Sequence, residues 1–209
     1  MSSNHDPFQA GDEAAEPAYD IWRGEPALPH EVGIGSRRVF DGRLLHVRVD
    51  DVRLPSGRES VREIVEHPGS VVIVPLTVDR DVLLIRQFRY ATGEYLLELP
   101  AGLIDPGEHF MAAAGRELIE ETGYKAESLR HLTTVYVSPG YSQERTAIVL
   151  AIGCREVKHA SDPDEPIEVL HRPLASLAEL LVPGDTSILD AQAMLGIMWL
   201  ERLVAAGEV

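Results

Sequence analysis

Two periodicities organise the 209-residue chain. Residues 37–40, 44–54 and 60–66 are rich in β-branched and apolar positions, and residues 60–66 alternate with period two. Asp41-Gly42 and Pro55-Ser56-Gly57 are turn signals between these runs, so an antiparallel three-stranded meander is predicted. Three strands alone bury little apolar area, so this meander needs a larger surface to pack on. After His67-Pro68-Gly69 the pattern changes. Residues 71–78 and 82–88 are near-continuous apolar runs joined by Asp79-Arg80-Asp81, and they read as strands buried on both faces. Further strands are predicted over 95–99, 129–137, 146–152 and 167–172. Helical spacing predicts a helix over 109–122, with Met111, Ala112, Ala114 and Leu118 as its apolar side and Gly123 as its stop. Two more helices are predicted over 174–181 and 188–204, the last started by Asp185-Thr186. The expectation is an α/β protein: a mixed sheet with helices on both faces, preceded by a small antiparallel meander. Its boundaries are an acidic leader over 1–33, the meander over 34–67 and the main domain over 68–209.

Charge narrows the function. Asp and Glu number 34 against 19 Lys and Arg, a net charge of −15, which argues against general nucleic-acid binding. It leaves a small phosphorylated substrate open, because divalent cations reverse the local sign. Residues 1–31 hold seven acids against Arg23 and are interrupted by Pro7, Pro17, Pro26 and Pro29. They read as a mobile acidic tether, although Tyr19, Ile21 and Trp22 offer a docking point. One cysteine, Cys154, rules out a disulfide within the chain and reads as a small buried hydrophobe in a cytoplasmic protein. No run of about 18 apolar residues suggests a membrane span, and no signal peptide is evident at the N-terminus.

The chemistry is concentrated between Gly102 and Tyr124. Glu117, Glu120 and Glu121 stand at i, i+3 and i+4, so a helix puts all three on one face. Like charges so placed repel, and Arg116 is the one basic residue between Gly102 and Tyr124. Carboxylates are hard oxygen ligands, so Mg²⁺ is the expected partner and Mn²⁺ a substitute. The bland alternative is a solvated acidic face.

The spacing also carries a resemblance. Gly102, Glu108 and the run Arg116-Glu117-Leu118-Ile119-Glu120-Glu121-Thr122-Gly123-Tyr124 match the signature GX5EX7REUXEEXGU of the Nudix hydrolases, with Tyr124 where an aliphatic residue is more usual. Over about residues 34–205 the chain is similar to the ADP-ribose pyrophosphatases within that family. The similarity includes Arg86-Gln87-Phe88-Arg89-Tyr90, Glu98-Leu99-Pro100-Ala101-Gly102 and Ser138-Pro139-Gly140. It implies a Nudix α/β/α sandwich and a homodimer in which the meander of one subunit helps build its partner's substrate site. It further implies hydrolysis of ADP-ribose to AMP and ribose 5-phosphate. Another nucleoside-diphosphate sugar such as GDP-mannose is the nearest alternative, and a nucleotide-sensing module without turnover is the second.

The resemblance carries residue roles with it. Glu117 and Glu121 are the main metal ligands, Glu120 is a third, and the Ala101 carbonyl beside Gly102 is a backbone ligand. Glu108 either holds metal-bound water or pairs with Arg116, which braces the acidic cluster. The general base is expected on the acidic loop containing Asp162, Asp164 and Glu165. Glu165 fits the family pattern best, with Glu144 as the alternative. Pro139 marks ADP-ribose preference. Arg89 is a phosphate contact or a surface ion pair. Arg37 and Phe40 are candidates to meet a phosphate and to stack on adenine, with Phe40 otherwise a core residue. The eight histidines show no zinc-like spacing.

Overall fold

The computed structural model describes residues 7–8, 29–158, 166–182 and 190–209. The acidic loop acids Asp162, Asp164 and Glu165 lie outside the described residues, as do Asp185-Thr186, Ile188 and most of the leader. The chain divides into two compact units: Met1–His67 with Tyr136–Glu144, and Pro68–Val135 with Arg145–Val209.

The first unit is the meander. Strands β1 (Val32–Asp41), β2 (His46–Arg53) and β3 (Glu59–Glu66) pair antiparallel in the order β1-β2-β3. Gly42 closes the first hairpin by donating to Leu45 O at 2.9 Å. In the second turn Gly57 (φ 84°) donates to Leu54 O at 2.8 Å. Segment Tyr136–Glu144 belongs to this unit because it bonds to β3: Val65 N–H donates to Tyr141 O and Gln143 N–H to Val65 O. Charged side chains form a ladder across the strands, with Arg48 bonded to Asp50 and Glu66, and Arg38 to Glu66 and Asp41. Apolar burial is sparse. Val49 and Val52 are buried, whereas Val32, Ile34, Val39, Phe40, Leu44, Leu45 and Val61 are exposed. Phe40 is therefore not a core residue of this chain.

The second unit is the α/β domain. Its eight-stranded mixed sheet has the order β11-β5-β4-β10-β8. These strands are β4 (Ser70–Thr77), β5 (Asp81–Arg89), β8 (Tyr124–Lys125), β10 (Arg145–Glu156) and β11 (Glu168–Pro173). Three more attach: β6 (Glu94–Glu98) to β5, β7 (Ala101–Leu103) to β4, and β9 (Ser128–Tyr136) to β10. β4 and β10 run parallel in register from Ser70↔Thr146 to Leu76↔Ile152, and every residue of β4 is buried. That explains its unbroken apolar run.

Helix α2 (Ala191–Ala205) and a 3-10 helix (Leu174–Leu181) cover one face. There Leu177, Ala193, Ile197 and Leu200 pack with Val72, Val74, Leu84, Ile148 and Leu150. The intervening residues Val71, Ile73, Ala147 and Val149 point to the opposite face, where helix α1 (Phe110–Thr122) packs on β4 and β7.

Three helix expectations need correction. Residues 174–181 wind as a 3-10 helix, which suits leucines at 174, 177 and 180, three residues apart. α2 begins at Ala191, not 188, because the Asp190 side chain accepts from Ala193 N–H at 2.8 Å as an N-cap. The buried stripe of α1 is Phe110, Ala113, Ala114, Leu118 and Thr122, while Ala112 lies on the exposed side.

Glycines in the two helices have opposite roles. A Cβ on Gly196 would stand 2.5 Å from Leu99 Cδ1 and 3.0 Å from Val74 Cγ2, whereas one on Gly115 meets only Leu129 Cδ1 at 3.7 Å. Gly115→Ala is expected to stabilise the fold by up to ~1 kcal/mol through helix propensity. Gly196→Ala is expected to lose more than that gain, because overpacking costs about 1–3 kcal/mol. Urea denaturation of both variants, with the metal-free wild type as reference, checks the pair.

Candidate active site

The site begins where β7 lies against β4, with Ala101 opposite Val72 and Gly102 opposite Val71. The chain then turns at Asp105-Pro106-Gly107-Glu108. Glu108 N–H donates to Asp105 O at 2.9 Å and Gly107 has φ 81°, a proline-then-glycine turn that only glycine fills without strain. The Glu108 carboxylate accepts from Asp105 N–H at 3.1 Å and locks the turn. The His109 ring caps α1 by accepting from Met111 N–H at 3.3 Å through Nδ1, and Gly123 (φ 73°) ends it. Helix α1 therefore runs between a fixed start and a fixed stop.

The three glutamates sit in its C-terminal half. Glu120 and Glu121 lie at its negative end, and the last turn contains no basic residue. Glu117 is drawn inward, its side chain only 13% exposed. It fits because residue 102 is glycine: a Cβ there would collide with the Glu117 carboxyl group. Glu121 Oε2 accepts from Ala101 N–H at 2.9 Å, tying the helix to β7. Arg116 is the hub. It donates to both oxygens of Glu108 at 3.1 and 2.8 Å, to Leu103 O at 3.0 Å, to Glu117 at 2.5 Å and to Glu120 at 3.0 Å.

The electrostatics follow from this geometry. The Arg116 bond holds the Glu108 carboxyl below the ordinary carboxylate value, against a smaller contrary effect of burial. Burial dominates at Glu117 and raises it, with Arg116 opposing and Glu120 adding to the rise. Three carboxylates, those of Glu108, Glu117 and Glu120, thus share one guanidinium, and Glu121 adds a fourth that is bonded to the Ala101 N–H instead, which leaves the cluster negative when all are ionised. Among the described residues no three His, Cys, Asp or Glu side chains converge as a ready metal cage. The donor set is nevertheless suited to a hard cation. It consists of oxygens alone, it carries excess negative charge at a helix C-terminus, and its innermost carboxylate rests in a recess that a side chain at residue 102 would fill. Glu117, Glu120, Glu121 and the Ala101 carbonyl are the groups that would hold such an ion.

The remaining candidates are distributed as follows. Arg89 Nε and Nη2 both bond to the buried Glu98 carboxylate, at 2.9 and 2.6 Å, so Arg89 is an ion-paired residue on β5. Arg37, Phe40, Pro139 and Glu144 belong to the first unit. There Arg37 lies 3.6 Å from Asp51, and Glu144 N–H bonds to Ser142 Oγ. Cys154 is buried, and burial pushes its thiol up to about 12, which leaves no nucleophile there. Sequence reasoning missed the Leu103 carbonyl as an Arg116 acceptor and the lock between Glu108 and Asp105. The signal for the lock was the Asp-Pro-Gly turn four residues after Ala101.

Carboxylates on a helix facing a glycine turn suit metal-assisted chemistry on a phosphoanhydride. Comparison with known proteins agrees. Residues 66–192 match the NUDIX domain, and residues 34–65 match the nucleoside diphosphate sugar hydrolase N-terminal domain. The chain is 35% identical over 173 residues to the ADP-ribose pyrophosphatase of Bacillus subtilis (strain 168), covering 82% of this chain and 92% of that protein. It is 32% identical over 176 residues to the methanol dehydrogenase activator of Bacillus methanolicus, covering 83% and 94%. A crystal structure of an ADP compounds hydrolase superposes with a TM-score of 0.76 at 32% identity, covering 88% of this chain and all of that one. The chain belongs to the NUDIX family, hydrolases acting here on nucleotide diphosphate and sugar-type substrates, and this membership implies dependence on a divalent metal.

Two outcomes are expected from this geometry. Gly102→Ala displaces the Glu117 carboxylate and weakens divalent-cation binding by about 10- to 100-fold, with the circular dichroism spectrum retained. Mn²⁺ titration checks it. Glu108, with its lowered value, contributes stability above the ordinary 4.5 and loses it as pH falls through that lowered value. The stability gap between wild type and Glu108→Gln is therefore expected to be constant near neutrality and to close below about pH 4.5, read by urea melts at stepped pH.

Proposed function

We propose that this protein is a Mg²⁺-dependent ADP-ribose diphosphatase that releases AMP and ribose 5-phosphate. The observation that carries the proposal is the placing of the acidic face of α1 against β7: Glu121 bonds to the Ala101 N–H, Glu117 packs against Gly102, and Glu120 is held beside Glu117 by Arg116. Similarity to an ADP-ribose pyrophosphatase over most of both chains supports the substrate. Mn²⁺ is expected to substitute for Mg²⁺. When bound, the metal supplies charge neutralisation of the diphosphate and acidification of a water.

The chain's own residues have the following roles in this reading. Glu117, Glu120, Glu121 and the Ala101 carbonyl are the ligand set. Glu108 fixes Arg116, and Arg116 orients the glutamates. Gly102 leaves room for Glu117. Glu165 takes the proton of the attacking water, with Glu144 as the second candidate. The water oxygen forms a new bond to one phosphorus, and the bond from that phosphorus to the bridging oxygen breaks. Pro139, Arg37 and Phe40 contribute to substrate selection. Arg89 contacts a phosphate as it trades part of its Glu98 pairing. The exposed apolar residues of β1 and the β1–β2 turn, among them Val39, Phe40 and Leu44, form the homodimer contact. In this arrangement residues 34–67 serve dimerisation and substrate binding, residues 68–209 serve catalysis, and the protein works in the cytoplasm. No helix among the described residues is long and apolar enough to cross a membrane.

A second reading keeps the chemistry and changes the nucleotide sugar, for example to GDP-mannose. It is favoured by the general character of the N-terminal match, which is to nucleoside diphosphate sugar hydrolases. A panel of ADP-ribose, other ADP-sugars and GDP-mannose with Mg²⁺, compared by kcat/KM, separates the two. ADP-ribose is expected to lead, with AMP as product. A guanine or uridine sugar in the lead overturns the substrate and leaves the chemistry. Glu120→Gln and Glu121→Gln are each expected to lower kcat by about 10- to 100-fold, and unchanged turnover in saturating Mg²⁺ overturns the ligand assignment.

A further inference from the structure

Arg116 holds more than a brace requires. Nε and Nη2 take both oxygens of Glu108, and Nη2 also donates to Leu103 O. These bonds alone fix the guanidinium to the turn that precedes α1. Nη1 is directed elsewhere, to Glu117 Oε1 at 2.5 Å and to Glu120 Oε2 at 3.0 Å. Those oxygens belong to two of the carboxylates assigned above as cation ligands. An oxygen that accepts a short, charge-assisted hydrogen bond has less electron density to offer a cation. The guanidinium charge also repels a divalent ion brought to the same carboxylates.

We propose that Arg116 is a resident counter-cation that competes with the divalent ion for Glu117 and Glu120, and so sets how tightly this site binds metal. It acts through the two glutamates and is a positioning residue. The two sides of the planar fork act differently, the Nε and Nη2 bonds as an anchor and the Nη1 bonds as the competitor. Competition is reciprocal, so cation binding loosens the Nη1 bonds while those to Glu108 stay. Without the ion, the same Nη1 bonds keep the crowded carboxylates from repelling one another. The proposal rests on the metal-ligand reading given under Proposed function.

The test is Mn²⁺ binding to purified full-length protein at pH 7.5, followed by electron paramagnetic resonance with no substrate present. Arg116→Gln is expected to bind Mn²⁺ about tenfold more tightly than wild type, within the usual range of coupling between two sites. Arg116→Lys, which keeps the charge, is expected to return the affinity toward the wild-type value. Equal or weaker binding by a folded Arg116→Gln protein overturns the proposal and makes Arg116 a brace alone. If that variant does not fold, arginine side-chain ¹⁵N spectra of the wild type replace it. Mg²⁺ is expected to shift the Arg116 Nη signals and leave Nε in place, and unmoved Nη signals overturn the proposal. Wild-type protein that binds no Mn²⁺ removes the metal-ligand reading itself, which is a separate failure.

Discussion

The site depends on how closely α1 approaches β7. Glu117 reaches the interior because the backbone at Gly102 carries no side chain, and Glu121 is bonded to the backbone N–H of Ala101. These two contacts hold a charged helix end against a buried sheet. Burial works against ionising Glu117, and Arg116 offsets part of that effect. The strain is local. Around it, β4 is fully buried and α1 is capped at both ends, so the helix has little freedom to move away. The cost of crowding carboxylates is met by the rigidity of their surroundings and leaves a site that favours a multivalent cation.

Much of this was legible in the sequence because the two periods are plain. The run over 71–78 is apolar at almost every position, as a central strand between two helical layers must be, and the acidic spacing in α1 identifies the family outright. Short elements were not legible. β7 and β8 have three and two residues, too few to show a period, and yet β7 carries Ala101 and Gly102. The 3-10 geometry of residues 174–181 was hidden because leucines three apart suit either winding. Ala112 was misplaced by one helix position, since a run of three alanines has no hydrophobic contrast to orient it. Contacts between distant residues, such as Arg116 with the Leu103 carbonyl, are invisible to periodicity altogether.

The meander is held by a different balance. Its cohesion is polar, through Arg38, Arg48, Asp50 and Glu66, and several of its larger apolar side chains face outward. A sheet of this kind specifies register through charge pairing and leaves apolar area for association. Segment Tyr136–Glu144 is stitched to it by two backbone hydrogen bonds, donated by Val65 and Gln143, so the loop that carries Pro139 is anchored on β3.

The parallel pairing of β4 with β10 has a consequence for how the molecule is made. Their first partners, Ser70 and Thr146, are 76 residues apart and share a buried hydroxyl–hydroxyl bond of 2.6 Å. All the residues of the acidic helix lie within that interval. The loop must close before the central pair forms, and non-local closure of this kind slows folding. During synthesis on the ribosome, β4, β7 and α1 emerge well before β10 can join them. The acidic helix therefore spends that time without its finished sheet, although the groups that gather its carboxylates, Arg116 and the backbone of Ala101 and Gly102, are already made.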